Sequence, residues 1–151
     1  MELFRFERKQ HLNIGLEEAW QFFSNPVNLA AITPPWLGFT IDSKLPLAIY
    51  PGLIIKYKVS PLLGIKMNWV TEITHVNEPY YFVDEQRFGP YKFWHHQHHF
   101  KSSVSGTEVE DIVSYGMPAA ASLVNKYIVA EKLKKIFDYR SEILNTRFKS
   151  T

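Results

Sequence analysis

Cysteine is absent from the 151 residues, which removes disulfides, thiolate nucleophiles and cysteine-ligated zinc or iron-sulfur centres from consideration. An excess of one charge is also lacking: 17 Lys and Arg stand against 15 Asp and Glu, for a formal net charge of +2. The one basic concentration, Lys132, Lys134 and Lys135, falls within a helical pattern beside Glu131 and Asp138. It reads as a solvated helix face, so no nucleic-acid partner is expected. No apolar run approaches the ~20 residues of a membrane span. Residues Met1 to Gln10 lack the uninterrupted apolar segment of a signal peptide. A soluble, cytoplasmic protein without integral membrane association is therefore expected. Repeats, low-complexity segments and interdomain linkers are missing too, which leaves one compact domain over residues 1–151. At this length a core can be buried without metal or disulfide staples.

What is present is apolar and aromatic: 46% of residues are hydrophobic and 15% are Phe, Trp or Tyr. From Leu3 to Ile14 the even positions Phe4, Phe6, Leu12 and Ile14 are apolar and the odd ones mostly polar, the pattern of a half-buried strand. Leu16, Ala19, Trp20 and Phe23 then recur at helical spacing, with Glu17 and Glu18 favourably placed in the first turn. Ser24-Asn25-Pro26 ends that helix. A second short one is predicted over Val27 to Ile32, before Pro34-Pro35 forbids continuation.

Six further strands are predicted at about Phe39–Ser43, Leu53–Val59, Ile65–His75, Tyr80–Phe88, Lys92–Lys101 and Thr107–Tyr115, separated by Pro- and Gly-containing turns. Short connections imply an antiparallel arrangement. After Pro118, the positions Leu123, Tyr127, Ala130, Leu133, Ile136, Phe137, Arg140, Ile143 and Leu144 trace one face of a helix. Counted from Ala119 to Leu144, it would be about 39 Å long. The fold class is α+β: a curved seven-stranded antiparallel sheet wrapped around a long C-terminal helix, with two short helices after the first strand. Such curvature leaves space between sheet and helix.

Strand parity selects the residues that face this space. In the last strand Asp111 shares a face with Val109, Val113 and Tyr115. In the strand before it, Trp94, His96, His98 and Phe100 form the inward class, while His95, Gln97 and His99 face out. His95 and His99 lie about 13 Å apart along the strand and are not expected to share a metal. A turn centred on Val104-Ser105 pairs Phe100 with Val109, His98 with Asp111, His96 with Val113 and Trp94 with Tyr115; a shift of two residues would pair His96 with Asp111 instead.

Four roles suit this inward pair. It can be a buried polar network that orders the strands, a device that orients a ligand in an apolar pocket, or an acid/base couple. It can also contribute two imidazoles and a carboxylate to a metal. The metal role ranks last, because the HHQHH run splits between two faces and nothing supplies an outer shell of partners; no metal and no cofactor is expected. Trp36, Tyr57, Met67, Trp69, Phe82 and Tyr115 are the other candidate wall residues.

Several local segments carry a resemblance as well: Trp69-Val-Thr-Glu-Ile73, Phe82-Val-Asp-Glu-Gln86, Gly89-Pro90, then Trp94, His96, His98, Phe100, Thr107, Asp111, Tyr115 and Ile136-Phe137-Asp-Tyr139-Arg140. With the element order, they resemble the helix-grip fold of the START and birch-pollen-allergen (Bet v 1-like, SRPBCC) superfamily, and in particular its bacterial ligand-binding, polyketide-cyclase-like group. The resemblance spans essentially the whole chain and implies a cavity for hydrophobic molecules, walled by Trp69, Phe82, Trp94, His96, His98 and Asp111. One departure is Met117-Pro-Ala-Ala-Ala-Ser122, where relatives often place a glycine shortly after the proline. The leading expectation is a non-enzymatic binding or carrier module for a small aromatic or lipid-like molecule. The rival is a cyclase or hydratase-type lyase in which His98 or His96 exchanges a proton and Asp111 fixes the imidazole tautomer. A third possibility is a filled interior with function on the surface. A homodimer is compatible with all three.

Overall fold

The computed structural model describes residues 1–60, 64–117 and 125–149. Strand β1 (Glu2–Leu12) leads into α1 (Leu16–Phe23), the single-turn α2 (Asn28–Ala31) and a 3-10 turn at Pro35–Leu37. Strands β2 (Thr40–Ile41), β3 (Ile54–Val59), β4 (Met67–Asn77), β5 (Tyr81–Phe88), β6 (Phe93–Ser103) and β7 (Gly106–Met117) follow. A π-helical turn, Asn125–Val129, then opens into α3 (Ala130–Arg147). The strands form one antiparallel sheet in the order β1-β7-β6-β5-β4-β3-β2.

The expected elements are all found, with changes of extent: β4, for one, lies two residues further along than expected. The second helix shortens to Asn28–Ala31 and the second strand to Thr40–Ile41. The terminal helix runs to Arg147, three residues beyond the expected end, and its α-helical part begins at Ala130 after the π turn. The expected start at Ala119, and most of the Met117–Ser122 departure, lie outside the described residues. At about 27 Å, α3 is still the longest helix.

Local chemistry fixes the pieces that matter for the interior. The β6–β7 turn closes tightly on Gly106, where a Cβ would collide with the carbonyl oxygen of Leu12, so only glycine fits beside β1 there. Next to it Thr107, fully buried, donates its hydroxyl to the Ile14 carbonyl at 2.9 Å. Together these pin the hairpin that carries the inward histidines. Two register shifts between β4 and β5, at Val70/Thr71 and Ile73/His75, mark irregularities of the kind that bend a sheet. On the open side, α1 lays Trp20 edge-on against Phe82 and Phe100, with ring centroids at 6.0 and 5.8 Å. The helix α3 is tied to the edge strand β1 by the Arg8–Asp138 ion pair and by Gln10, whose side-chain amide reaches the Ser141 carbonyl at 2.8 Å and Asn145 at 2.9 Å.

Two apolar clusters fill the interior. One gathers Leu12, Trp20, Phe82, Phe100 and Leu144 beneath α1, and the other gathers Val59, Trp69, Trp94, Val113 and Phe137. Between them lie polar side chains.

Candidate functional site

Strands β5, β6 and β7 are neighbours, and their registers place Phe82, His98 and Asp111 in one row across the sheet and Asp84, His96 and Val113 in the next. Of the two registers open to the sequence, the structure has the one that pairs His98 with Asp111. The side chains nevertheless reach diagonally as well as straight across. His96 Nε2 lies 2.8 Å from Asp111 Oδ1, and His98 Nε2 lies 2.8 Å from Asp84 Oδ2. His98 Nδ1 is 3.0 Å from Asp111 Oδ1, close but misaligned for a hydrogen bond, and His96 Nδ1 is 3.5 Å from Asp84 Oδ2. Each imidazole thus turns one nitrogen to Asp84 and the other to Asp111. The two rings lie 3.7 Å apart, His98 stacks on Phe82 at 4.1 Å, and His96 meets Phe137 edge-on at 5.8 Å.

Arg140 of α3 closes the cluster. Its guanidinium lies over Phe137 at 4.7 Å and its Nη1 stands 3.7 Å from Asp111 Oδ1. Burial alone would raise both carboxyls. For Asp111 the adjoining imidazoles of His96 and His98 outweigh burial, and for Asp84 the same histidines with Arg140 do so; both carboxyls end below the ordinary carboxylate range. Burial and the neighbouring His98 lower His96, whereas for His98 burial is outweighed by the adjoining carboxylates of Asp111 and Asp84, which raise it. Burial, assisted by Asp84, pushes the Tyr57 hydroxyl upward, so it stays protonated and pairs with Thr71 at 3.0 Å.

Above this cluster the sheet and α3 enclose a cavity of about 170 Å³. Tyr57, Trp69, Phe82, Trp94, His96 and His98, all expected wall residues, line it. Asp111 is buried behind the imidazoles and does not reach the lining. Tyr115, also buried, packs in the neighbouring apolar cluster rather than on the cavity. Met67 is a correction: it shares parity with Trp69, but it is the first residue of β4, half-buried and beyond the cavity. Trp36 is another. It stands 49% exposed, because the Pro35–Leu37 turn points Leu37 inward and leaves its neighbour outside.

Besides the apolar side chains of α1, α2, β3 and α3, two charged lining residues, Asp84 and Arg140, were not among the expected wall residues. Asp84 shares parity with Phe82, which was an available signal, and Arg140 lies on the same helical face as Phe137 and Leu144. Among the described residues three buried nitrogens of the site have no hydrogen-bond partner: Trp69 Nε1, His98 Nδ1 and Arg140 Nε.

No family model matches this chain and no curated protein matches it. Solved structures do. The ginseng major latex-like protein 151 from Panax ginseng superposes with a TM-score of 0.72 at 11% identity, covering 98% of this chain and 99% of that one. Protein Ms6760 from Mycobacterium smegmatis gives 0.69 at 21% identity, with 95% and 92% covered. Ara h 8.0201 gives 0.61 at 14% identity, with 96% and 99% covered. The fold is the helix-grip fold of Bet v 1-like proteins. Identities this low carry the architecture and leave the chemistry to the site itself. Among the described residues no helix is long and apolar enough to cross a membrane.

Proposed function

We propose that this helix-grip protein binds a small, ring-bearing hydrophobic molecule with one hydrogen-bond acceptor in the space between sheet and α3. The cavity carries the reading. Its volume of about 170 Å³ resembles the ~150 Å³ apolar cavity that accepts benzene and falls short of the room a long acyl chain needs. Of the aromatic and lipid-like guests that the sequence suggested, this favours the aromatic. Walls of Tyr57, Trp69, Phe82 and Trp94 suit a ring, and burying ~200 Å² of it would contribute about 5 kcal/mol before the entropy of binding is subtracted. An unsatisfied buried donor costs about 1–3 kcal/mol, so a guest's carbonyl oxygen would relieve Trp69 Nε1 or Arg140 Nε.

Calorimetric titration with toluene, acetophenone and hexadecanoate tests this. Acetophenone should bind most tightly, toluene more weakly and hexadecanoate not at all. Ile55→Trp, which fills the cavity from β3, should abolish both aromatic heats while the chain stays folded at 20 °C by circular dichroism. A folded wild-type chain that takes up neither aromatic at millimolar concentration sinks the reading.

A further inference from the structure

We infer that Asp84, His96 and His98 form a binding site for one divalent transition-metal ion, with Asp111 orienting both imidazoles from behind. The sequence alone pointed away from a metal, because it split the HHQHH run over two faces and gave no outer shell of partners. The fold supplies both missing parts. The split sends His96 and His98 inward together, β5 brings Asp84 beside them, and one ligand atom from each of the three lies within 4.8 Å of the other two.

The separations fit an ion. Metal–nitrogen and metal–oxygen bonds of about 2.0–2.2 Å put neighbouring ligand atoms about 3.0–3.5 Å apart in octahedral or tetrahedral geometry. The atoms facing one another here are Asp84 Oδ2 with His96 Nδ1 at 3.5 Å, within that span, and with His98 Nε2 at 2.8 Å, a hydrogen bond that an ion would replace and slightly widen. The remaining nitrogens, His96 Nε2 and His98 Nδ1, both turn to Asp111 Oδ1, at 2.8 and 3.0 Å. A carboxylate behind a ligating imidazole holds the ring and fixes its proton on the far nitrogen, which frees the near lone pair for the ion. One oxygen of Asp111 stands in that position for His96 through a hydrogen bond, and beside His98 Nδ1 at 3.0 Å, where a small rotation of the ring would align it.

Charge points the same way. The carboxylates of buried Asp111 and partly buried Asp84 gather here with Arg140 as the one permanently charged cation against Asp111 among the described residues, an arrangement that accommodates further positive charge. A divalent ion supplies it. Two nitrogens and one carboxylate select Fe²⁺, Co²⁺ or Zn²⁺ over Mg²⁺ and Ca²⁺, which prefer oxygen shells. All three ligands line the cavity, so the ion's remaining positions would open onto it. The three residues sit on adjacent central strands, where little movement is needed to gather them.

This inference does not depend on the aromatic guest, and its test omits one. Full-length protein stripped by a chelator and dialysed is titrated with Co²⁺ alone, followed by visible absorption and by metal analysis of the dialysed complex. One Co²⁺ per chain is expected. Asp84→Asn and His98→Gln should each weaken binding at least ~100-fold, and Asp111→Asn, which touches no ion, by about 10–100-fold. The double variant His95→Gln/His99→Gln on the outer face should bind as wild type does. A second readout needs no variant: paramagnetic Co²⁺ should broaden or shift the imidazole proton signals of His96 and His98 far more than those of His95 and His99. Either of two results overturns the assignment: a folded wild-type chain that retains no Co²⁺, or perturbation centred on the outer histidines.

Discussion

Along β6, the inner pair His96 and His98 alternates with the outer row His95, Gln97 and His99, so one strand exposes the same residue types to two environments. Outside, His95 Nδ1 bonds Glu85 at 2.7 Å, the Gln97 amide reaches His95 at 3.2 Å, and Gln97 Oε1 faces His99 at 2.9 Å. The result is a ladder running along the strand. Inside, the partners come from three strands and a helix instead. The side chain of His95 is 26% exposed and that of His96 only 6%, so water competes for every outer bond and for almost none of the inner ones. Polar side chains of one kind thus serve as a tolerant surface on one face and as a tightly coupled cluster on the other. Position relative to the sheet decides which, not residue type.

The sharpest way to break this comparison is to remove the hub of the inner cluster. Asp111→Ala leaves two imidazoles and Arg140 without their shared carboxylate, and breaking a buried pair in this way costs about 3–5 kcal/mol. Urea denaturation of the metal-free chain reads it. A loss below 1 kcal/mol would mean that the inner face is no more demanding than the outer one.

Acid probes the same cluster without a substitution. Asp84 and Asp111 titrate lower in the folded chain than their ordinary value of 3.8, so the unfolded chain takes up protons first as pH falls. Their stabilisation is complete above pH 3.8 and is lost as pH drops through the folded values. His98 is raised and His96 lowered around 6.5, so their contributions near neutrality carry opposite signs. The urea midpoint of the metal-free protein should therefore fall steadily below pH 4. In Asp111→Ala that decline should be shallower, and equal slopes would remove Asp111 from the account.

How far this was legible depended on what a strand's parity can say. Alternation gave the inward class Trp94, His96, His98 and Phe100, and a turn centred on Val104-Ser105 made the β6–β7 register one of two choices, so the His98–Asp111 pairing could be named from residues alone. Parity also held for Asp84, but an acid beside Glu85 and Gln86 looks like surface until β6 is known to lie beside it with two histidines. Arg140 sits on a helical face that was read correctly as buried; that its guanidinium meets Asp111 depends on where the helix crosses the sheet, which no local pattern encodes. Trp36 and Met67 failed for a related reason. A single turn can point adjacent side chains in opposite directions, and strand parity says which face a residue takes but not whether the cavity extends that far.

A substitution set that keeps shape but removes charge separates cost from need. Replacing Asp84, His96 and Asp111 with Leu, His98 with Phe and Arg140 with Met in one chain should leave stability within about 1 kcal/mol of wild type or raise it, because a buried ionic set exchanged whole for apolar groups leaves no charge uncompensated. The same chain should bind no Co²⁺. If it instead unfolds, the polar cluster is a requirement of the fold in its own right.

The smallest effect belongs to the outer ladder, and it tests the comparison from the other side. His95→Ala removes the bond to Glu85, but that carboxylate keeps a second partner in Arg87 at 3.2 Å and remains accessible to water. Partly exposed ion pairs of this kind contribute about 0–1 kcal/mol, because water recovers most of what is lost. The urea midpoint of His95→Ala should therefore stay within about 0.5 kcal/mol of wild type, while Asp111→Ala, one strand away on the opposite face, moves several times further. If the two variants moved the midpoint equally, water access could not be what separates the two faces, and the cause would have to lie in the hydrogen-bonded ladder along β6 itself.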